Sequence, residues 1–487
     1  MISIPRCMST QHPDNVTSPF FAESPELGGE DEVQEAYYAY SHLDCDEQMW
    51  DCEGKEVDNY VVKKLLTRYD SFFKEHRLGK DLFLTLRVPN PTVEKAEAKV
   101  LLETLESIPR SYDAAHLFYD QDIAPIFEVI LPMTASTRCI DRIYRYYTDF
   151  IIKRQESPFR KGDIRIREWI GQFKPDRINV IPLFEERDKM LTAHRMVGEY
   201  LSDKPDVSHQ RVFLARSDPA MNYGLVAAVL FNKIALMHLS ALSDQTGIDI
   251  YPIIGVGSAP FRGNLAPHTV RRVIEEYPSA HTFTIQSSFK YDHPPQTVVE
   301  AVRLLRDRKT GNPMPVDEKQ CLGVIDRYSA RFSQAIVALA PIINEVAAHV
   351  PERRKRKLHI GLFGYSRETA GVKLPRAIRF TAALYSIGIP PELLALSALT
   401  KDDLALIREF YIHLDNDIWD ALRYFNPDSP FLPEGVSTFL GPYAGDVSPD
   451  PEHKELTDRI TSQLKEGKTG NISGHVLAAA NIRGFLG

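Results

Sequence analysis

The sequence contains few cysteines for its length, five in 487 residues. They stand far apart, at positions 7, 45, 52, 139 and 321, which excludes the dense disulfide framework of small secreted proteins. Cys45 and Cys52 lie among acidic residues, but two thiols without further Cys or His at suitable spacing make a weak case for structural zinc. We therefore expect reduced thiols and a cytoplasmic protein.

The chain also lacks long apolar runs and an excess of positive charge. Polar residues interrupt the N-terminal stretch where a signal peptide needs an apolar core. The most apolar segment, 225–242, contains an asparagine, a lysine and a histidine, so we do not expect it to span a membrane. The net charge of −8 gives no general attraction to nucleic acid or anionic membranes. The basic run 353–357 has no interleaved aromatics and does not change this expectation.

Short β-rich runs recur along the chain, and each is followed by a longer stretch with helical patterning. The runs are Phe83–Val88, Pro125–Leu131, Asn179–Glu185, Arg211–Ser217, Ile248–Gly255, Thr282–Gln286 and His359–Phe363. An extended segment at Ser9–His12 brings the count to about eight, the number of strands in a (β/α)8 barrel. The pattern predicts a single α/β catalytic domain of residues 1–487. Its barrel spans roughly 1–390 and is elaborated with many extra helices, and a mainly helical extension spans roughly 391–487.

Polar and charged side chains directly follow most of these runs. Barrel enzymes carry their chemistry at the carboxyl ends of strands, although a single charge there is often only a paired surface group. The strand-end groups include Arg87, Glu128, Glu185, Arg216, Asp218, Gln286 and Arg367. Because the pattern is repeated on most strands, we favour a functional interpretation.

Glu185 and Asp218 end two consecutive runs, which would be neighbours in a parallel barrel. Two adjacent carboxylates with open coordination positions suit Mg²⁺ or Mn²⁺, which keep bound waters and accept phosphate oxygens. A salt-bridged pair is the alternative, since Arg187 and Arg216 are close in sequence. The other strand-end groups are mostly cationic, namely Arg87, Arg262, Lys290, Arg367 and Arg376. Together these groups indicate a metal-assisted site for a phosphorylated, carboxylated anion.

One histidine stands out, His12 in the segment Thr10–Asn15. Pro13 pushes His12 toward extended geometry, and Asp14 favours a turn or a helix cap. This geometry suits an imidazole displayed at the end of a strand, where its titration near neutrality allows proton transfer. The plainer alternative is a structural histidine that caps a turn with Asp14.

Small residues lead to an arginine in the segment 255–264, which reads Gly-Val-Gly-Ser-Ala-Pro-Phe-Arg-Gly-Asn. Such a loop lets backbone N–H groups approach an anion. Glycine-rich turns are common, however, and this segment is neither a Walker loop nor a dinucleotide-binding motif. We expect Arg262 to act in catalysis and the loop to close over the site as a lid.

These segments resemble, in the same order, those of phosphoenolpyruvate carboxylase, most closely its short archaeal-type form. The similar segments are Thr10–Asn15, Leu86-Arg87, Ile181–Glu185, Ser217–Ala220, Gln286–Tyr291, Gly364–Arg367 and Leu374–Ile378. In the family they carry the catalytic histidine, the substrate arginines and the metal ligands. The common order makes the resemblance much more specific than any single segment.

The resemblance implies that phosphoenolpyruvate and bicarbonate give oxaloacetate and phosphate through carboxyphosphate and enolpyruvate. It implies Glu185 and Asp218 as ligands of Mg²⁺ or Mn²⁺, and a homotetramer as the assembly. The implied catalytic residues are His12, Arg87, Arg262, Arg367 and Arg376, and the substrate-binding residues are Arg216, Gln286 and Lys290. Glu128 is a competing candidate for the metal, but Glu185 lies 33 residues before Asp218, as consecutive strand ends would.

The sequence departs from the longer carboxylases at two cationic positions. Met221 stands where they have a lysine after the metal aspartate, and Val256 lies where their mobile loop has its first arginine. We expect Arg216 or Lys290 to supply the missing charge. Another metal-dependent barrel lyase acting on phosphoenolpyruvate or pyruvate is the alternative enzyme, and a non-catalytic scaffold is the alternative of a different class.

Overall fold

Eight parallel strands form a closed barrel in the order of the chain. They are β1 (Cys7–Ser9), β2 (Glu47–Asp51), β3 (Phe83–Arg87), β4 (Glu128–Leu131), β5 (Asn179–Phe184), β6 (His209–Ala215), β7 (Asp249–Gly255) and β8 (Thr282–Ile285). Strand β8 pairs with β1 and thereby closes the ring. The computed structural model describes residues 3–52, 58–95, 98–355, 367–369, 371–440, 443 and 447–487. The predicted (β/α)8 barrel is confirmed.

One barrel strand was missed in the sequence, and one predicted strand is not needed. The missed strand is β2, which has no β-branched residue and is acidic at both ends. The predicted strand His359–Phe363 lies outside the described residues, and the ring closes without it. Burial of the β2 acids depends on partners distant in sequence: Glu47 pairs with Arg211.

Alternating side chains divide the barrel core into an inner and an outer layer, as the period of two along a strand requires. Along β6, Phe213 and Ala215 belong to the inner cluster, whereas Val212 and Leu214 pack in the outer one. The inner cluster consists of Met8, Met49, Ile130, Ile181, Leu183, Phe213, Ala215 and Ile253. The barrel is therefore filled, and open space for chemistry is left at the strand ends.

Helices surround the barrel and continue beyond it. Up to residue 347 they are Glu30–Ser41, Val61–Arg68, Asp70–Glu75, Ala98–Tyr119, Thr137–Arg145, the π-helix Tyr146–Ile152, Ile166–Ile170, Arg187–Leu191, Ala193–Leu201, Ser217–Tyr223, Leu225–Thr246, Val270–Glu276, Ser287–Tyr291, Pro295–Asp307 and Glu318–Ala347. A hairpin of β9 (Arg367–Thr369) and β10 (Val372–Leu374) precedes the later helices, Ala377–Ser386, Lys401–Phe410, Leu414–Leu422, Val436–Leu440, Pro451–Lys465 and Ile472–Arg483. Short 3₁₀ turns are Pro260–Arg262, Pro391–Leu393 and Leu396–Ala398.

Among the residues that the structure describes, one helix, Leu225–Thr246, is long and apolar enough to cross a membrane. The bent pair Ala377–Ser386 and Pro391–Ala398 would make two if it counted as one span. The single helix is 78% buried inside the protein over its most apolar window. Its Lys233 lies 2.6 Å from a carboxylate oxygen of Glu276 on a neighbouring helix. These contacts are those of a central core helix.

Candidate active site

The residues that follow the eight strands at their carboxyl ends form one edge of the barrel, here called the rim. Glu185 follows β5 directly, and Asp218 lies three residues after β6. Strands β5 and β6 are paired, with Phe184 opposite Leu214. The structure therefore brings the two predicted metal ligands to neighbouring strand ends, with Glu185 buried and Asp218 partly buried.

The chemistry of this donor set fits a hard divalent cation. Mg²⁺ is usually held by one or two carboxylates, and water and substrate oxygens complete its octahedron. Within the described ranges, no group of three or more His, Cys, Asp or Glu side chains could hold a metal ion. A site of two carboxylates is thus what the rim offers, and it leaves coordination positions for a substrate.

Arg262 makes four hydrogen bonds that join several loops of the rim. Its Nε donates to Ser217 Oγ at 3.2 Å and its Nη2 to Gln286 Oε1 at 2.6 Å. Its Nη1 donates to the backbone oxygen of Gly487 at 2.6 Å and to Asp14 Oδ2 at 3.4 Å. The predicted site residues Arg262 and Gln286 are therefore in direct contact, next to Asp218.

The electrostatic surroundings of Arg262 are those of a buried cation beside acids. Its side chain is 2% exposed, and this burial lowers the pKa of the guanidinium, while the charges of Asp14 and Asp218 act in the opposite direction. Asp218 is thus close enough to Arg262 to affect its pKa. An anion bound at this buried position would interact strongly with the guanidinium, because the effective dielectric constant is lower there than in water.

The 255–264 loop is built around this guanidinium. A Cβ atom at Gly257 would lie 2.8 Å from Cζ of Arg262, so a larger residue there would displace the guanidinium. The N–H of Gly257 donates to the Arg262 carbonyl at 2.8 Å, and the N–H of Ser258 donates to Asp14 at 3.2 Å. Residues 256–262 are all buried. In this conformation these N–H groups bind the protein itself and do not form the expected anion-binding backbone. Closure of the loop as a lid stays a prediction.

Asp14 is a functional candidate that the sequence indicated only as a turn former. Its carboxylate accepts N–H groups from Ser258, at 3.2 Å, and from Ser288, at 2.8 Å, besides the guanidinium of Arg262. Its backbone oxygen accepts the N–H of Leu486 at 2.8 Å. Asp14 therefore joins the loops after β1, β7 and β8 to residues 484–487. Its position two residues after the predicted catalytic histidine was the available signal.

His12 lies in the loop after β1, with a half-buried side chain. Its carbonyl accepts the N–H groups of Asp14 and Ser287, both at 3.1 Å. Its ring Nδ1 is 3.0 Å from the hydroxyl oxygen of Thr10. The turn at His12 is closed by the backbone hydrogen bond from Asp14 to the His12 carbonyl. The Asp14 carboxylate does not cap this turn, because it binds Ser258, Ser288 and Arg262. The ring is held by Thr10, at the rim where the sequence predicted it.

Lys290 supports the strand that precedes His12. Its ammonium donates to Ser9 Oγ at 3.1 Å, to the carbonyl of Thr10 at 2.9 Å and to Glu35 Oε1 at 2.9 Å. An ammonium group has three N–H donors, and these contacts use all of them. Lys290 was predicted to bind substrate, but in this arrangement its donors are directed to protein oxygens.

Arg87 ends β3 and pairs with Asp51 at the end of β2. The two N–H···O distances are both 3.0 Å, from Nε to Oδ1 and from Nη2 to Oδ2. This bidentate pairing fixes the plane of the guanidinium. The arginine is thus at the rim, as predicted, and is oriented by an aspartate from the strand that was missed.

Arg216 and Arg376, two further predicted arginines, do not take part in the contacts around Arg262 and Arg87 described above. The side chain of the third, Arg367, is not among the described residues. Arg216 is buried and donates to the carbonyl of Phe261 at 3.4 Å. It lines a cavity of about 20 Å³ together with Tyr277 and other side chains, which is separate from the Arg262 contacts. Arg376 is exposed and directly precedes the helix Ala377–Ser386. The backbone of Arg367 begins β9, and its side chain lies outside the described set.

Glu128, the competing metal candidate, lies at the wrong end of its strand. It begins β4 and accepts from Arg211 at 2.9 Å, and Arg211 also binds Glu47 at the start of β2. Burial would raise the pKa of Glu128, but the Arg211 charge keeps it below its ordinary value. Glu128 therefore belongs to an ion-pair network at the end of the barrel opposite the rim.

At the two positions where the longer carboxylases have cationic residues, this chain has apolar side chains that pack in the core. Met221 and Val256 are fully buried and belong to the outer hydrophobic core. Positive charge near the rim therefore comes from other residues, such as Arg262, which is close enough to Asp218 to be affected by its charge.

Comparison with known proteins identifies the family. The sequence profile described as phosphoenolpyruvate carboxylase matches residues 4–487. This chain belongs to the phosphoenolpyruvate carboxylase family. It is 57% identical to the phosphoenolpyruvate carboxylase of Methanothermobacter thermautotrophicus and 58% identical to that of Methanospirillum hungatei, over 486 residues and 100% of each chain. The enzyme of Pyrococcus furiosus is 52% identical over 498 residues, covering 99% of this chain and 100% of the relative.

The family assignment makes the chain an enzyme of a class that is generally metal-dependent.

Among solved structures, a malate synthase of Haloferax volcanii is matched with a TM-score of 0.38 and 12% identity, over 71% of this chain and 89% of that one. This similarity is too low to support the fold assignment, which depends on the closed barrel itself.

Proposed function

We propose that this chain catalyses the carboxylation of phosphoenolpyruvate by bicarbonate, which yields oxaloacetate and phosphate. The observation that supports it best is the convergence at one rim of His12, Glu185, Asp218, Arg87 and Arg262, which come from five different strands or the loops after them. A substrate that is both phosphorylated and carboxylated needs this combination of cations and metal ligands.

We propose Glu185 and Asp218 as the residues that would hold Mg²⁺ or Mn²⁺. When bound, the cation supplies positive charge that polarises the phosphate and offsets charge on the enolate. The negative charge of the two carboxylates also keeps the phosphoryl group away from this edge unless a cation is present. The guanidinium of Arg262, close to Asp218, adds positive charge at this edge.

The arginines bind and orient the anionic groups. Arg87, Arg262, Arg367 and Arg376 neutralise the phosphoryl group while a bicarbonate oxygen attacks phosphorus and the bond from phosphorus to the enol oxygen breaks. The products of this step are carboxyphosphate and the enolate of pyruvate. Gln286 holds Arg262 in place, and we assign Lys290 to supporting β1 rather than to substrate contact.

His12 then takes the proton of the carboxyphosphate hydroxyl group. The bond between the carboxyl carbon and the bridging oxygen breaks, so that phosphate leaves and CO2 forms beside the enolate. Carbon 3 of the enolate attacks this CO2 and gives oxaloacetate. Water must be kept from the enolate, because a proton from solvent would convert it to pyruvate.

An assay of oxaloacetate formation tests the proposed function. Purified protein is given phosphoenolpyruvate and a divalent cation, with and without bicarbonate, and oxaloacetate is read by its reduction to malate. We expect oxaloacetate and phosphate to appear in equal amounts and only with bicarbonate. Phosphate release that is independent of bicarbonate would instead indicate another lyase acting on phosphoenolpyruvate, and absence of any metal-dependent turnover would indicate a scaffold.

We also propose a homotetramer, from the family resemblance, and a cytoplasmic location, from the few and scattered cysteines. Light scattering on the purified protein should give a mass four times that of the 55.3 kDa chain. A mass of one or two chains would contradict the tetramer.

A further inference from the structure

The hydroxyl group of Thr10 lies between the ring of His12 and the end of β8. Its oxygen is 3.0 Å from His12 Nδ1 and 3.2 Å from the carbonyl oxygen of Ile285, and Thr10 is fully buried. We infer that Thr10 is a positioning residue that fixes His12 in the tautomer with the proton on Nδ1, so that Nε2 carries the lone pair. The inference deepens the proposed function, on which it rests for the role of His12 as a base.

The two contacts together decide which atom donates. A threonine hydroxyl has one proton, and a backbone carbonyl can only accept. If the hydroxyl donated to His12, its oxygen would face the Ile285 oxygen at 3.2 Å with no hydrogen between them, which is repulsive. Both contacts are favourable only when the hydroxyl donates to Ile285 and Nδ1–H donates to the hydroxyl. Neutral imidazole has one N–H, so the proton on Nδ1 leaves Nε2 as the base.

Buried ion pairs hold Thr10 in this position. The Lys290 ammonium donates to the Thr10 carbonyl and to Glu35. The other Glu35 oxygen accepts from Arg354 at 2.9 Å. Burial alone would raise the pKa of Glu35, but the charges of Arg354 and Lys290 hold it well below its ordinary value. The carboxylate is therefore charged at all working pH values, and the backbone at Thr10 is fixed from a helix on the outside of the barrel.

This arrangement suits a base that acts once and then releases its proton. After Nε2 has taken the carboxyphosphate proton, the imidazolium still donates from Nδ1 to the Thr10 oxygen. The bond persists through the transfer, so the ring needs no rotation. Without the hydroxyl oxygen, Nδ1–H would face a methyl group, and the ring would favour the tautomer with the proton on Nε2, which cannot accept one there.

The first test compares Thr10→Val, which keeps the shape of the side chain, with Thr10→Ser, which restores the hydroxyl. We expect Thr10→Val to lower the ratio of oxaloacetate to phosphate by about five- to tenfold, the effect of losing one hydrogen bond, with pyruvate making up the difference. The KM for phosphoenolpyruvate should change less than about twofold, because the hydroxyl does not touch substrate. Thr10→Ser should recover most of the wild-type ratio.

Thr461→Val provides the matched control. Thr461 is also buried and its hydroxyl donates to a backbone carbonyl at 3.1 Å, but it lies in the helix Pro451–Lys465, away from the rim. It should keep the wild-type ratio. A wild-type ratio in Thr10→Val, or an equal loss in Thr10→Val and Thr10→Ser, would overturn the inference.

A second measurement reads the tautomer in the wild-type protein itself and uses a variant only to assign the signals. Wild-type protein with ¹⁵N-labelled histidine rings is compared with the His12→Asn variant, and the difference identifies the two His12 nitrogens by NMR at a pH where the ring is neutral. We expect Nδ1 to carry the proton and Nε2 to be unprotonated. The reverse assignment would overturn the inference. If the wild type released no phosphate in response to bicarbonate, the proposed function would fail, and the tautomer could still be read.

Discussion

Nη1 of Arg262 lies 3.4 Å from Oδ2 of Asp14, a buried contact that joins the loop after β7 to the turn after His12. The same carboxylate accepts two backbone N–H groups. Removing its charge leaves Arg262 buried beside fewer acceptors, which is costly in a low-dielectric site.

Asp14→Asn should therefore destabilise the fold by about 3 kcal/mol and lower kcat, because Arg262 loses its orientation. Urea denaturation and steady-state kinetics measure the two effects. Asp450→Asn is the control: Asp450 accepts one N–H at the start of the helix Pro451–Lys465, a role that asparagine fills as well. Equal stability of Asp14→Asn and wild type would show that the buried pair contributes nothing.

Glu185→Gln and Asp218→Asn should each abolish carboxylation while the protein remains folded, because each removes a charge that would hold the metal. Titration with Mn²⁺, followed by electron paramagnetic resonance, should show weaker binding in both variants. Glu186→Gln serves as the control, since Glu186 is the exposed neighbour of Glu185 and should leave both measurements unchanged. Near-normal activity of either rim variant at limiting Mg²⁺ would remove that residue from the metal site. Glu128 would not replace it, because it lies at the opposite end of the barrel.

Site residues could be predicted from the sequence where the signal was local, and not where their partners are far apart along the chain. Glu185 and Asp218 could be predicted because each follows a strand that is itself β-rich. Strand β2 could not, because its acidic ends pair with Arg211 and Arg87, which are far away in sequence. The support of His12 was equally hidden: Glu35 is 255 residues from Lys290 and lies in an acidic helix without a distinguishing motif.

Arg367→Lys and Arg376→Lys should each raise the KM for phosphoenolpyruvate and lower kcat, because a single ammonium cannot reproduce the two parallel hydrogen bonds of a guanidinium. Arg379→Lys is the control, since Arg379 lies three residues after Arg376, pairs at the surface with Glu352 and has a side chain that is 41% exposed. Its kinetics should match those of the wild type. Wild-type kinetics in Arg367→Lys or Arg376→Lys would place that residue outside the substrate site.

Glu392 should make stability depend on pH in an unusual direction. Burial raises its pKa to about 7 from 4.5, and among the described groups its Oε2 has no hydrogen-bond partner. Its Oε1 accepts the N–H of Phe261, in the loop that carries Arg262, and the hydroxyl of Tyr385, both at 2.6 Å. The folded protein thus keeps a proton that the unfolded chain has released, so this contribution to stability is present below about pH 4.5 and is lost as pH rises through 7.

Glu392→Gln should remove that dependence. Relative to wild type, the variant should gain about 3 kcal/mol in the free energy of unfolding between pH 4.5 and pH 8, because it has no proton to lose. Chemical denaturation of both proteins at several pH values gives the difference curve. A flat difference curve would mean that Glu392 is ionised in the folded protein.

The role of His12 after phosphoryl transfer is tested by the product ratio of His12→Asn. The variant should still bind phosphoenolpyruvate and metal and should still release phosphate in a bicarbonate-dependent way, because the groups for the first step are intact. It should form little oxaloacetate, since carboxyphosphate is no longer deprotonated efficiently and the enolate leaves as pyruvate. Phosphate, pyruvate and oxaloacetate are measured in parallel from one reaction. An unchanged ratio of oxaloacetate to phosphate would contradict this role and leave His12 as a structural residue of the loop after β1.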